Sequence, residues 1–158
     1  SSLCELEDGW CVYTRKLTKI KLMPNNQHFM YLDDKILLGK TDQKSDIFDD
    51  LLFVRRDIEE VTIPPFIRII SPFAFNGCQN LTKVEFSDDS KLQIICHYAF
   101  SDTPLESICI PKRVVEKRSN VFENSSSQKV KFESNRNAFY DSEINQIVIP
   151  SKESVKSR

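Results

Sequence analysis

Residues 58–81 read IEEVTIPPFIRIISPFAFNGCQNL, and this stretch decides the fold because it closes where its own pattern begins again. Its opening, Ile58-x-x-Val61-x-Ile63-Pro64, recurs as Leu81-x-x-Val84-x-Phe86, Leu105-x-x-Ile108-x-Ile110-Pro111 and Ile144-x-x-Ile147-x-Ile149-Pro150, with a weaker Val130-x-Phe132 before the last copy. Val61, Val84, Ile108, Val130 and Ile147 are separated by 23, 24, 22 and 17 residues, so the last unit is shortened. A period of this size is the mark of stacked repeats. A second landmark runs in phase: Ala74-Phe75, Ala99-Phe100, Val121-Phe122 and Ala138-Phe139. Leu52-Phe53 precedes Ile58 by a similar offset, which places the start of the array ahead of its first clear copy.

Each unit has a direct physical reading. The alternation in Val61-Thr62-Ile63 and Val84-Glu85-Phe86 turns the apolar pair to one side, as a short β-strand does. Proline follows the strand in three copies; with its φ fixed and no backbone donor, it ends the ladder and turns the chain. Ile67 and Ile70, then Leu92 and Ile95, return apolar groups inward before the Ala-Phe pair. One unit of this length cannot bury its own apolar strip, so the units must stack. Phe75, Phe100, Phe122 and Phe139 then form an aromatic column through the core.

The pattern Ile63-Pro64-x-x-Ile67-x-x-Ile70-x-x-x-Ala74-Phe75-x-x-Cys78-x-x-Leu81 resembles the BspA-type leucine-rich repeat. That resemblance implies an α/β repeat solenoid, with short parallel strands on its concave face and short helical or irregular return segments. It also implies kinship with surface antigens and adhesins of certain bacteria and protist parasites. The stretch from Tyr31-Leu32-Asp33-Asp34-Lys35 through Ile58 resembles the lead-in of protist members. Departures are visible. Thr103 and Ser125 stand where later copies would repeat Cys78, and the fourth copy lacks about five residues before Ala138. Phe66, Asp89 and Arg113 replace the asparagine ladder of ordinary leucine-rich repeats.

Residues 1–57 are expected to form a capping lead-in ahead of repeats over 58–150 and a polar, frayed tail over 151–158. Leu17-x-x-Ile20-x-Leu22 echoes the strand motif, and Phe29 to Leu38 predicts a hairpin around Asp33-Asp34-Lys35. Ser45 to Leu52, with an acidic start and apolar residues at helical spacing, predicts a short helix. A solenoid end exposes core and strand edge unless covered, so this lead-in is expected to cap the first repeat. No equivalent closes the other end, an arrangement expected of a piece of a longer array.

The composition narrows the function. Of 158 residues, 40% are hydrophobic and 28% charged, which is the usage of a folding chain rather than a disordered one. Twenty-two basic against twenty-three acidic side chains leave a net charge of −1, so no global field draws nucleic acid or an anionic membrane. The first residues lack a basic and an apolar leader region, and no stretch approaches the roughly 20 apolar residues of a membrane helix. Cys4, Cys11, Cys78, Cys96 and Cys109 contain no CxxC pair, so they read as thiols rather than as a disulfide framework or zinc site.

Catalysis has little to stand on. Cys96-His97 is the one tempting pair, but neighbours on an extended segment point to opposite faces. Three glycines, Gly9, Gly39 and Gly77, form no phosphate cradle. Asn80-Leu81-Thr82 and Asn124-Ser125-Ser126 fit the glycosylation acceptor, a motif common by chance. The basic run Lys112 to Arg118 reads as a solvated face. No catalytic residue, cofactor or metal is therefore assigned.

The alternation supplies a better candidate. With Val61 and Ile63 inward, Glu60 and Thr62 face out, and the later strands present Lys83 and Glu85, Ser107 and Cys109, Lys129 and Lys131, and Gln146 and Val148. These residues are expected to tile the concave sheet and bind a protein ligand, since solenoids bind through such extended surfaces. The expected function is a non-catalytic protein-binding or adhesion module, surface-antigen-like and at the cell surface by resemblance. An intracellular scaffold or regulatory repeat protein is the alternative.

Overall fold

The computed structural model describes residues 5–114, 116–117, 120–123, 129–132 and 147–148, with only the backbone course of 116–117 and of the last two segments. The strands in chain order are β1 (Met30–Leu32), β2 (Ile36–Gly39), β3 (Asp50–Val54), β4 (Glu60–Ile63), β5 (Ile69–Ile70), β6 (Lys83–Phe86), β7 (Ile94–Ile95), β8 (Ser107–Ile110), β9 (Glu116–Lys117), β10 (Lys129–Phe132) and β11 (Ile147–Val148). No helix occurs among the described residues. Of the helical or irregular return segments expected from the family resemblance, the described ones are irregular chain carrying a second, two-residue strand, with no helical return among them.

Two strand positions per repeat build two layers. On one side β4 pairs with β6, and β8 with β10 and then β11, all parallel, with β6 and β8 side by side. The marker residues meet in the ladder: Val61 lies opposite Val84, and Val130 opposite both Ile108 and Ile147. On the other side a six-stranded sheet runs β1-β2-β3-β5-β7-β9, parallel from β3 onward and antiparallel through the β1–β2 hairpin around Asp33-Asp34-Lys35.

The main core fills the space between the layers. Ile63, Ile67, Ile70, Phe75, Leu81, Leu92, Ile95, Phe100, Leu105 and Ile110 are buried. The rings of Phe75 and Phe100 stack at 4.6 Å, and those of Phe100 and Phe122 at 5.6 Å. Phe139, the fourth member of the expected column, lies outside the described residues. The small Ala74 and Ala99, also buried, leave the turns close enough to bond to one another. Phe75 N donates to Ala99 O at 2.8 Å and Phe100 N to Val121 O at 2.8 Å, so each turn is hydrogen-bonded to the next. The residue ahead of each pair, Phe73, Tyr98 or Asn120, takes a left-handed φ of 60°, 56° or 58°. Phe73 and Tyr98 stack at 5.0 Å outside the main column, and Asn120 donates to the Tyr98 hydroxyl. Thr103, standing where Cys78 stood one repeat earlier, is buried with its hydroxyl donating to Phe100 O.

Where the lead-in joins the array the sequence expectation is off by one residue. Val54 N donates to Ala74 O, the bond that Phe75 and Phe100 make in their turns, so Phe53-Val54 and not Leu52-Phe53 fills the landmark position. The cause is a bulge. Leu38 pairs with Leu51 while Leu37 pairs with Phe53, leaving Leu52 as an extra residue that reverses the facing of the residues after it. Leu51 and Val54 consequently enter the main core, whereas Phe53 joins a second cluster with Cys11, Phe29 and Leu37.

The helix expected over Ser45 to Leu52 is also absent. Asp50–Val54 is held between β2 and β5, and Asp49 O accepts Arg68 N at 2.8 Å. The Asp49 carboxylate takes Thr41 N and Oγ1 at 2.9 and 2.8 Å instead of starting a helix. Two-sided strand pairing outweighs local helical propensity.

Residues near Trp10, Leu17, Ile20 and Leu22 pack on the second cluster, against β2 and β3. Arg56 binds them to the array. Its guanidinium is buried, donating to Ala74 O at 2.7 Å, Cys11 O at 3.2 Å and Phe73 O at 3.3 Å, and lies 4.4 Å above the Phe53 ring. Burial pushes the Cys78 thiol up to about 11 against the opposing pull of Arg56, and raises Cys11 in the same way. Burial of both thiols thus disfavours the reactive thiolate form.

Candidate binding face

The β4–β6 and β8–β10–β11 ladders position the expected binding residues. Val61, Ile63, Val84, Ile108 and Ile110 are buried beneath them, while Glu60, Thr62, Lys83, Glu85, Ser107 and Cys109 are exposed. The two-residue alternation read from the sequence thus separates core from surface at each of these positions. In register, Glu60 stands beside Lys83 and Thr62 beside Glu85. Farther along, Ser107 stands beside Lys129, and Cys109 beside Lys131, which is followed by Val148. Gln146 lies outside the described residues.

The face is electrostatically mixed. Lys83 Nζ meets Glu85 Oε1 at 2.7 Å, and the hydrogen bond and charge of Glu85 raise the lysine above its ordinary range. Both side chains are more than half exposed, so this pair adds little to stability and is easily exchanged for a partner's charges.

The hairpin adds a wall that sequence reasoning missed. Asp33, Lys35 and Ile36 at its tip face Glu60, Val61 and Thr62 across a shallow groove of about 440 Å³. Nothing in the repeat pattern announces this, because the hairpin belongs to the non-repeating lead-in. The stacked Phe73 and Tyr98 were also missed, although an aromatic recurs immediately before two Ala-Phe pairs and that recurrence was a readable signal.

The other singled-out residues do not converge on a site. His97 packs edge-on against Phe73 and Tyr98, a structural role in the outer stack. Asn80 and Thr82 are exposed, with Thr82 Oγ1 donating to Glu59 O, while Asn124 lies outside the described residues. In the basic run Val114 is buried, Arg113 is exposed, and Glu116–Lys117 forms β9 at the edge of the opposite sheet. Among the described residues no group of three or more metal-ligating side chains occurs, and no helix is long and apolar enough to cross a membrane.

A separate titratable feature lies on the six-stranded side. Asp50 lines a pocket with Phe29, Thr41 and Leu52, and burial pushes its carboxyl up to about 6 against a 2.6 Å hydrogen bond donated by Ser71 Oγ.

The sequence model described as BspA type Leucine rich repeat region matches residues 46–157 in six copies. No curated protein matches the chain. Among solved structures, the crystal structure of the pneumococcal vaccine antigen PcpA is similar, at 36% identity and a TM-score of 0.48, over 49% of this chain and 20% of PcpA. The T. pallidum leucine-rich repeat protein TpLRR is similar at 22% identity and a TM-score of 0.33, over 56% of this chain and 57% of its own. The chain spans about a fifth of the length of PcpA and somewhat over half that of TpLRR.

Proposed function

This chain belongs to the BspA-type leucine-rich repeat family, and from that premise we propose that it is a non-catalytic protein-binding module working in adhesion at the cell surface. One observation carries the reading. Two parallel ladders, β4–β6 and β8–β10–β11, lie side by side, and in β4, β6 and β8 the alternate residues Glu60, Thr62, Lys83, Glu85, Ser107 and Cys109 are all exposed. A rigid, extended and charge-mixed surface of this kind suits recognition of another folded protein. In the ladder register the backbone of Lys129 and Lys131 lies beside Ser107 and Cys109, which supports extending the proposed face to them.

Capture with the immobilised chain tests this, run in parallel on cell-surface and cytosolic protein fractions. Specific retention of a surface protein, competed by soluble chain, supports the adhesion reading. Retention confined to cytosolic proteins replaces it with a scaffold role. Absence of specific retention from either fraction defeats the proposal.

A further inference from the structure

The candidate binding face has an end, and that end is open. Among the described residues β4 is hydrogen-bonded on one side only, to β6. Lys83 N donates to Glu59 O, so Glu59, Val61 and Ile63 turn their peptide groups toward β6. Along a strand these groups alternate, so the N–H and C=O of both Glu60 and Thr62 point the other way, and no hydrogen bond from the described residues reaches them. Leu6, Trp10, Leu17, Ile20 and Leu22 pack with Phe53 in the second cluster and not along this edge. An unpaired strand edge is a template for a further strand.

Beside that edge runs the groove walled by Asp33, Lys35 and Ile36. Its apolar lining is Ile36 and Val61, both buried beneath its surface. Its charge is uneven. Asp33, Glu60 and Glu85 outnumber Lys35 and Lys83 along it; Lys83 is ion-paired to Glu85, while Asp33 and Glu60 have no ion-pair partner among the described residues. The sheet itself shows what pairs with β4: on its occupied side Lys83 stands opposite Glu60 and Val84 opposite Val61. We propose that the open edge of β4 is a strand-addition site for an extended segment of a partner protein in which basic and apolar residues alternate. A basic residue of that segment lies against Glu60 and Asp33, and its apolar neighbour lies over Val61 and Ile36. Main-chain bonds to Glu60 and Thr62 supply affinity, and the alternating side chains supply selectivity.

A capped, fluorescently labelled heptapeptide of sequence Gln-Lys-Val-Lys-Phe-Glu-Ser, copied from residues 128–134, has the required alternation and serves as the probe. Fluorescence polarisation should show saturable binding to the whole chain, with a peptide carrying Glu at both lysine positions binding roughly tenfold more weakly. Thr62→Pro removes an edge donor that β6 does not use and should weaken binding about threefold to tenfold. Glu60→Lys should reverse the preference between the two peptides. N-methylation of the peptide at alternate residues reads the same contact without altering the protein: one alternation should lose binding and the other keep it. Absence of saturable binding, equal affinity for the two peptides, or indifference to the position of N-methylation would overturn the proposal. The peptide engages the edge alone, so such a result leaves the capture experiment to judge the wider face independently.

Discussion

Phe75 and Phe100 lie ring over ring, with centroids 4.6 Å apart and planes inclined by 21°, and the same two residues' turns are joined by the bond from Phe75 N to Ala99 O. Side-chain stacking and main-chain pairing thus repeat together from unit to unit. Phe100 is the middle ring, touching Phe75 on one side and Phe122 on the other.

Phe100→Ala removes a fully buried ring from the middle of this column, a change that costs about 3–5 kcal/mol. For a chain of this size the melting temperature should fall by roughly 10 °C or more. Phe100→Leu, which keeps much of the volume, should cost distinctly less. Calorimetry on the two variants checks the order; equal melts would deny the ring its role.

Arg56 is a buried cation answered by carbonyls rather than by a carboxylate. Arg56→Ala leaves the acceptors at Cys11, Phe73 and Ala74 without their donor and should cost about 3 kcal/mol or more in urea denaturation. It should also loosen the segment around Cys11, so that this thiol reacts with a thiol reagent faster than in the parent while the fold persists. Arg56→Lys should not rescue either property, because one ammonium cannot span the carbonyls that the planar fork reaches.

Asp50 should make stability depend on pH. Its folded value of about 6 lies above the unfolded 3.8, so the folded chain holds the proton more tightly. The stabilisation is complete below pH 4 and is lost as pH rises through 6, at most about 3 kcal/mol in all. Asp50→Asn keeps an acceptor for Ser71 and should flatten this part of the profile, with a gain at pH 7. A parent profile that rises steadily from pH 4 to 7 would contradict this.

Reversing Lys83, Lys129 and Lys131 to Glu should weaken binding of a captured partner and leave the circular-dichroism melt nearly unchanged, as expected if the charges of Lys129 and Lys131, like that of Lys83, add little to stability. Unaltered binding would remove these lysines from the recognition surface.

How legible was all this in the sequence? The strand register, the inward valines and isoleucines and the order of the phenylalanine column follow from period and alternation, because each repeat states the same pattern again. The lead-in has no such redundancy. One extra residue, Leu52, shifts Phe53 into a different cluster, and periodicity cannot reveal a bulge that occurs once. Ser45 to Leu52 carries a helical spacing that local sequence favours, but the partners that make Asp50–Val54 a strand lie at Ile36–Gly39 and Ile69–Ile70. On the candidate face, the exposure of Glu60, Thr62, Lys83, Glu85, Ser107 and Cys109 was readable and the hairpin wall was not, for the same reason. Arg56 gave no sign at all, since its acceptors are main-chain atoms of residues whose identities scarcely matter.

The bonds from turn to turn have a mechanical meaning. They run along the direction in which repeats succeed one another, so tension applied across the ends of the array is carried by successive interfaces in series, each bearing the same load. The weakest rung yields first, and each repeat that peels away releases some 23 residues of slack while its neighbours stay folded. An array bonded in this way would lengthen stepwise under load rather than give way all at once.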